Sequence, residues 1–170
     1  MIAAMTTPAP AVPAYSARSV TARMAVAEAL CAQRGQRFTP LRRKVLELLL
    51  RHGRSLKAYE LLAAMRSEHP GAAPPTVYRA LDFLLAEGLI HRLDAINAWV
   101  ACVDAEDAHP DLLLIVCTQC GNVAEVHDPE LCQRVSARVA QMDYVATTHE
   151  IEIRALCPHC RKERDHSQVA

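Results

Sequence analysis

The chain has 170 residues, 51% of them hydrophobic and 22% charged, a globular composition with room for one or two small domains that excludes a large multi-domain enzyme. Its net charge of zero conceals a division: residues 1–92 carry 13 Lys/Arg against 6 Asp/Glu, and residues 93–170 carry 6 against 13. No apolar run approaches the roughly 20 residues of a membrane helix, and a basic half beside an acidic half points to two modules, one suited to phosphate and one to cations.

Residues 1–17 are rich in Ala, Pro and Thr, with Pro8, Pro10 and Pro13, and predict a disordered tail. Val20, Met24, Ala27 and Cys31 then recur at helical spacing until Gly35. Thr39-Pro40 reads as an N-cap followed by proline at the first helical position, with Leu41, Val45, Leu48 and Leu49 as the apolar stripe. Leu61, Leu62 and Met65 mark a third helix. Pro74-Pro75 starts a fourth, buried through Val77, Leu81, Leu84 and Leu85 and stopped by Gly88. Leu89–Cys102 changes period and predicts a hairpin turning at Asp94–Asn97. Helices followed by a hairpin suggest a winged helix-turn-helix over 18–102, with a helical bundle carrying a hairpin as the plainer alternative.

Residues 103–111, acidic and containing proline, read as a hinge linker. Leu112–Val116 and Asn122–His127 follow as strands. Asp128-Pro129-Glu130 caps a helix whose stripe is Leu131, Val135, Val139 and Met142. Val145–Leu156 alternates, placing His149, Ile151, Ile153 and Ala155 on one face. Residues 112–162 are therefore a small α/β module, and 163–170 a tail. A sheet this short gains from a metal or a second subunit.

The seven cysteines include two C-x-x-C pairs, Cys117/Cys120 and Cys157/Cys160, separated by 36 residues. An odd count with paired knuckles does not fit a secreted disulfide framework, and it points to a reducing cytoplasm. Four thiolates in a tetrahedron suit a structural zinc and leave no position for a substrate. Redox chemistry is the competing reading, but it needs one pair and not two. His91, Cys102, His109 and Glu125 form a looser candidate metal set. Each also has an ordinary reading: solvated imidazoles, a small buried thiol, a surface carboxylate. Cys31 and Cys132 read as packing residues, His52, His69, His159 and His166 as surface residues, and His149 as a core histidine.

In the fourth helix the apolar stripe leaves Thr76, Tyr78 and Arg79 outward. Arg79 is the candidate base reader, since arginine bonds guanine O6 and N7 together; a salt bridge to Asp82 or Glu87 is the alternative. Lys57 and Tyr59 open the third helix, and Arg37, Arg42, Arg43 and Lys44 are candidate phosphate contacts. No His-Glu-x-x-His run and no Gly-rich phosphate loop supports catalysis.

Cys31-Ala-Gln-Arg, Arg37-Phe-Thr-Pro-Leu-Arg42, Ala58-Tyr-Glu-Leu61 and Pro74-Pro-Thr-Val-Tyr-Arg-Ala-Leu-Asp-Phe-Leu84, with the paired knuckles, resemble the ferric-uptake-regulator family over residues 20–162. The likeness is greatest to its zinc-uptake branch, especially across Pro74–Leu84 and at Cys102, and the absence before Cys117 of the His-rich stretch of the iron-sensing branch argues against iron. The resemblance implies an α+β fold with an N-terminal winged helix-turn-helix DNA-binding domain and a C-terminal α/β dimerisation domain. It implies a homodimer on double-stranded operator DNA, with an AT-rich inverted repeat as the expected site. It implies two Zn²⁺ per monomer: a structural ion on Cys117, Cys120, Cys157 and Cys160, and a regulatory ion on His91, Cys102, His109 and Glu125, with Asp107 or Asp111 as substitutes for His109. A third site near His149 occurs in some members, and the residue matching Tyr59 serves at the DNA. The expected function is a zinc-responsive repressor of zinc-uptake genes, neither an enzyme nor a membrane protein. The alternatives are another metal or peroxide sensor, or a zinc-stabilised DNA adaptor without sensing.

Overall fold

The computed structural model describes residues 17–103, 105, 111–147 and 150–167, with side chains from Val20 to Arg164. Residues 1–16, His109 and Asp107 in the linker, His149, and the side chain of His166 lie outside it.

Four helices come first: α1 (Ala17–Gln33), α2 (Pro40–His52), α3 (Ala58–Arg66) and α4 (Pro74–Ala86). Thr39 caps α2 by accepting from the Arg42 N–H, and Gly53 closes it at φ 60. The buried face of α2 is Val45, Leu46, Leu49 and Leu50, one step round from the expected stripe, so Leu41 and Leu48 are only half-buried. The cause is that α2 is wedged between α1, α4 and the hairpin, a wider contact than one stripe provides. In α4, Ala80 takes the place expected of Leu85, which is 39% exposed.

The hairpin is β1 (Ile90–Leu93) and β2 (Ala98–Ala101), paired from Ile90↔Ala101 to Leu93↔Ala98, with Asn97 at φ 50 in the turn. Leu56 and Trp99 exchange backbone hydrogen bonds of 2.8 and 2.9 Å, which attaches the segment between α2 and α3 to the hairpin. Side chains alternate across a strand. Ile90, Trp99 and Ala101 join the helical core, whereas Leu93 and Val100 join a second core with Leu112, Leu114, Val116 and Val123. The hairpin is thus buried on both faces and cements the two halves.

The second half is β3 (Leu112–Cys117), β4 (Val123–His127), α5 (Pro129–Ala140), β5 (Ile151–Ala155) and α6 (Pro158–Ser167), with the sheet ordered β4-β3-β5. β3 pairs antiparallel with β4 and parallel with β5, so α5 lies on the crossover. β5 is shorter than the expected Val145–Leu156. The stripe of α5 is not buried within the protomer: only Cys132 is, and Val135 is exposed. α6 occupies residues assigned from sequence to a knuckle and a tail; its signal was Pro158, at the first helical position. No described helix is long and apolar enough to cross a membrane.

Candidate metal centres

The parallel register of β3 and β5 sets Cys117 opposite Ala155. Both strands therefore end at the same edge, which brings two knuckles 36 residues apart to one point. The sulfurs of Cys117, Cys120, Cys157 and Cys160 lie within 4.8 Å of one another. Cys120 Sγ and Cys157 Sγ are 3.7 Å apart. That is far beyond a disulfide bond and close to the ~3.8 Å edge of a tetrahedron with 2.3 Å Zn–S bonds. The Cys157 N–H donates to Cys117 Sγ at 3.3 Å and the Cys160 N–H to Cys157 Sγ at 3.5 Å. Burial opposes ionisation of Cys117, but donation from the N–H groups of Cys157, Cys120 and Gln119 outweighs it and lowers the thiol to about 6. Burial and the neighbouring sulfurs push Cys160 upward. The lowered Cys117 thiol offers a thiolate to an arriving cation, which fits zinc.

The second cluster follows from strand alternation. His91 pairs with Val100, and Cys102 lies two residues further along, so all three are on the hairpin face turned to the sheet. Glu125 of β4 meets them: ligand atoms of His91, Cys102 and Glu125 lie within 4.8 Å of one another. His91 is buried, with Nε2 3.8 Å from Glu125 Oε2 and without a hydrogen-bond partner. A buried imidazole nitrogen left unpaired beside a thiol and a carboxylate is costly unless something electron-poor sits there. Burial would lower the His91 ring, but contact with Cys102 and Glu150 and the charge of Glu125 raise it to about 10. Glu125 accepts from the Val103 N–H at 3.1 and 2.9 Å, and Arg23 donates to the Cys102 carbonyl. These contacts fix the start of the hinge. One nitrogen, one sulfur and one carboxylate form a borderline-soft set that suits zinc and leaves room for one more ligand.

Residues 33–154 match the ferric uptake regulator family. The chain belongs to that family. It is 36% identical over 137 residues to the zinc uptake regulation protein of Escherichia coli (strain K12), covering 81% of this chain and 80% of that one. Its fold is similar to that of a zinc uptake regulator complexed with zinc and DNA, with a TM-score of 0.79, 34% identity, and coverage of 86% of this chain and 98% of that one. Holo XcZur gives a TM-score of 0.73 at 37% identity, covering 84% of this chain and 99% of that one. That family is made of transcription regulators, in keeping with the lack of catalytic motifs in the sequence.

The candidate DNA residues of this family member are distributed as follows. Tyr59 is 66% exposed, and Lys57 and Arg79 are exposed. Glu87, weighed as a partner for Arg79, pairs instead with Arg34 at 3.1 Å, and among the described residues no ion pair joins Arg79 to Asp82. Thr76 is half-buried. Tyr78 is exposed but lies edge-on to Trp99 at 6.0 Å, so part of its ring serves packing. Arg37 is exposed, and its carbonyl accepts from Arg42, which stacks 3.4 Å over the Phe83 ring. Arg43 is bound to Glu28, and Lys44 to Glu68 and Glu47. Of the four cations expected at phosphates, Arg37 thus has the most accessible head.

Three contacts between the halves had no signal in the sequence. His91 Nδ1 meets Glu150 Oε1 at 3.1 Å. The Asp94 and Ala95 N–H groups donate to Glu152 at 2.9 to 3.3 Å. The Ser55 N–H and hydroxyl both donate to the Gly121 carbonyl, at 2.9 and 2.7 Å.

Proposed function

We propose that this chain is a zinc-responsive transcriptional repressor, binding operator DNA as a homodimer when its second metal site is filled and silencing zinc-uptake genes from the cytoplasm. In this reading each monomer carries two zinc ions, a structural one on Cys117, Cys120, Cys157 and Cys160 and a regulatory one on His91, Cys102, Glu125 and His109. The observation that carries the reading is the second cluster. His91 lies in the hairpin that follows the four helices and Cys102 directly after it, Glu125 comes from the sheet of the C-terminal module, and the buried His91 Nε2 is unpaired.

Zinc supplies a single positive centre that satisfies these donors together. The donors converge only when the halves are docked, so a metal there favours the docked arrangement by its differential affinity and by nothing else. Docking fixes the winged helices of one protomer relative to those of its partner, and two-fold symmetry then selects an inverted repeat. A second copy is the natural cover for the apolar surface of α5 and β5. Val135 of α5 and Ile153 of β5 are exposed, as are Met142, Tyr144 and Val145 in the segment between the two elements, at 60%, 69% and 88%. Arg79, Tyr59, Thr76, Tyr78, Lys57 and Arg37 form the proposed DNA face.

The test is binding to an AT-rich inverted-repeat duplex across buffered free zinc, with Mn²⁺ and Fe²⁺ in parallel, using reduced protein that holds only the four-cysteine zinc. Binding should rise steeply with zinc alone. Binding indifferent to zinc would leave a constitutive DNA adaptor, and a response to Mn²⁺ or Fe²⁺ would make the protein a different metal sensor.

A further inference from the structure

His91 makes its two polar contacts with opposite sides of one ring. Nε2 lies 3.8 Å from Glu125 Oε2, in the cluster that Cys102 completes, and Nδ1 lies 3.1 Å from Glu150 Oε1. An imidazole can present a lone pair at one nitrogen only if its proton is held at the other. Glu150, immediately before β5, is placed to hold that proton. Its neighbour two residues on, Glu152, projects to the same side and clamps the hairpin turn through the Asp94 and Ala95 N–H groups. The start of β5 thus applies two carboxylates to the hairpin, one at the ligand ring and one at the turn. Glu150 is not among the groups converging on the Nε2 side, so its contact is with the ligand and not with the ligand position.

We infer that Glu150 is a positioning residue of the second metal site: it accepts the Nδ1–H of His91, fixes the ring plane, and presents Nε2 to the metal. This rests on the regulatory-site reading above and extends it. An outer carboxylate on a ligating histidine sets its tautomer and orientation and raises its basicity, and loss of such a partner costs roughly 10- to 100-fold in metal affinity. Because Glu150 belongs to the sheet half and His91 to the hairpin, the same hydrogen bond makes ligand orientation depend on docking. A ring released from Glu150 in the undocked form would bind metal less well, which sharpens the coupling.

The experiment compares full-length wild type, Glu150→Ala, Glu150→Gln, Glu152→Ala, His91→Ala and Cys102→Ala, each loaded with the four-cysteine zinc. Second-site zinc affinity is measured by competition with a chelator. Solvent exchange of the His91 Nδ1 proton is followed by ¹⁵N-resolved NMR in the two-zinc protein. Glu150→Ala should weaken the second site roughly 10- to 100-fold and lose protection of the Nδ1 proton, with the first zinc and the melting profile retained. Glu150→Gln keeps an acceptor oxygen and should recover most of both. Glu152→Ala should leave the Nδ1 proton protected. Wild-type affinity in Glu150→Ala, no recovery in Glu150→Gln, or equal loss in Glu152→Ala would each overturn the positioning role. If His91→Ala and Cys102→Ala keep the second zinc, the site reading itself fails, and the positioning role with it.

Discussion

The two candidate metal clusters are built in opposite ways. The four cysteines come from one half of the molecule, at the ends of two strands already paired by β3–β5 hydrogen bonds. Their geometry depends on local sheet register, and their backbone donors prepare a thiolate in advance. His91, Cys102 and Glu125 come from two halves and meet only through the packing of the hairpin on the sheet. The lesson concerns sensitivity: a cluster within one unit contributes to folding, whereas a cluster between units converts metal binding into relative position.

The largest effect should break the first cluster. Cys117→Ser or Cys157→Ser leaves three thiols around an incomplete shell, and structural zinc sites are worth on the order of 10 kcal/mol in small domains. Loss of zinc, of cooperative unfolding of the second half and of dimerisation is expected, read by metal analysis, thermal unfolding and sedimentation. Cys102→Ala should act differently: it keeps one zinc and the fold but loses zinc-dependent operator binding by about 100-fold or more, on the scale of a strong coupling free energy. Equal behaviour of Cys117→Ser and Cys102→Ala would erase the distinction between the clusters.

A smaller effect concerns the contact of the first cluster with the segment between α2 and α3. Gly121 lies in the first knuckle at φ +72, and a Cβ there would meet Ser55 Oγ at 2.7 Å. Gly121→Ala combines left-handed strain of ~1–2 kcal/mol with loss of the Ser55 hydroxyl bond, worth about 1 kcal/mol. Its melting temperature should fall by several degrees, with both zinc ions retained at saturating metal. An unchanged melting profile would show that the knuckle and the α2–α3 segment are not coupled.

A further effect is on protons. A His91 ring raised to about 10 is protonated at neutral pH when metal is absent. Its stabilising contribution is complete below the unfolded value of about 6.5 and is lost as pH rises through about 10. Zinc and the proton compete for the ring, so second-site affinity should increase with pH across that window. Calorimetry in buffers of differing ionisation enthalpy should register proton release on loading the second site. No release would contradict the protonated ring.

Much of this was legible in the sequence, for reasons that differ by residue. The cysteine knuckles announce themselves by spacing. The placement of His91 and Cys102 on one face follows from strand parity once the turn is set at Asp94–Asn97. The caps at Thr39 and Asp128 were readable from short-range chemistry. Glu150 was not, because its partner is 59 positions away and the contact exists only through sheet-on-hairpin packing. The stripe of α5 was visible as a period, but period alone does not say whether the cover comes from the same protomer. Leu85 was misplaced because the buried face of a helix is set by all its neighbours, and here that face includes Ala80 instead. The regulatory assignment of His109 falls on a residue outside the described segments.

The most direct test of the bridging claim is operator binding by Glu125→Gln across buffered zinc. The glutamine keeps an acceptor for the Val103 N–H, so the hinge contact and the four-cysteine zinc remain while the charged ligand of the sheet half is gone. The account predicts loss of the second zinc and of zinc-dependent binding to the same degree as Cys102→Ala. A wild-type zinc response in Glu125→Gln would contradict a site shared between the two halves.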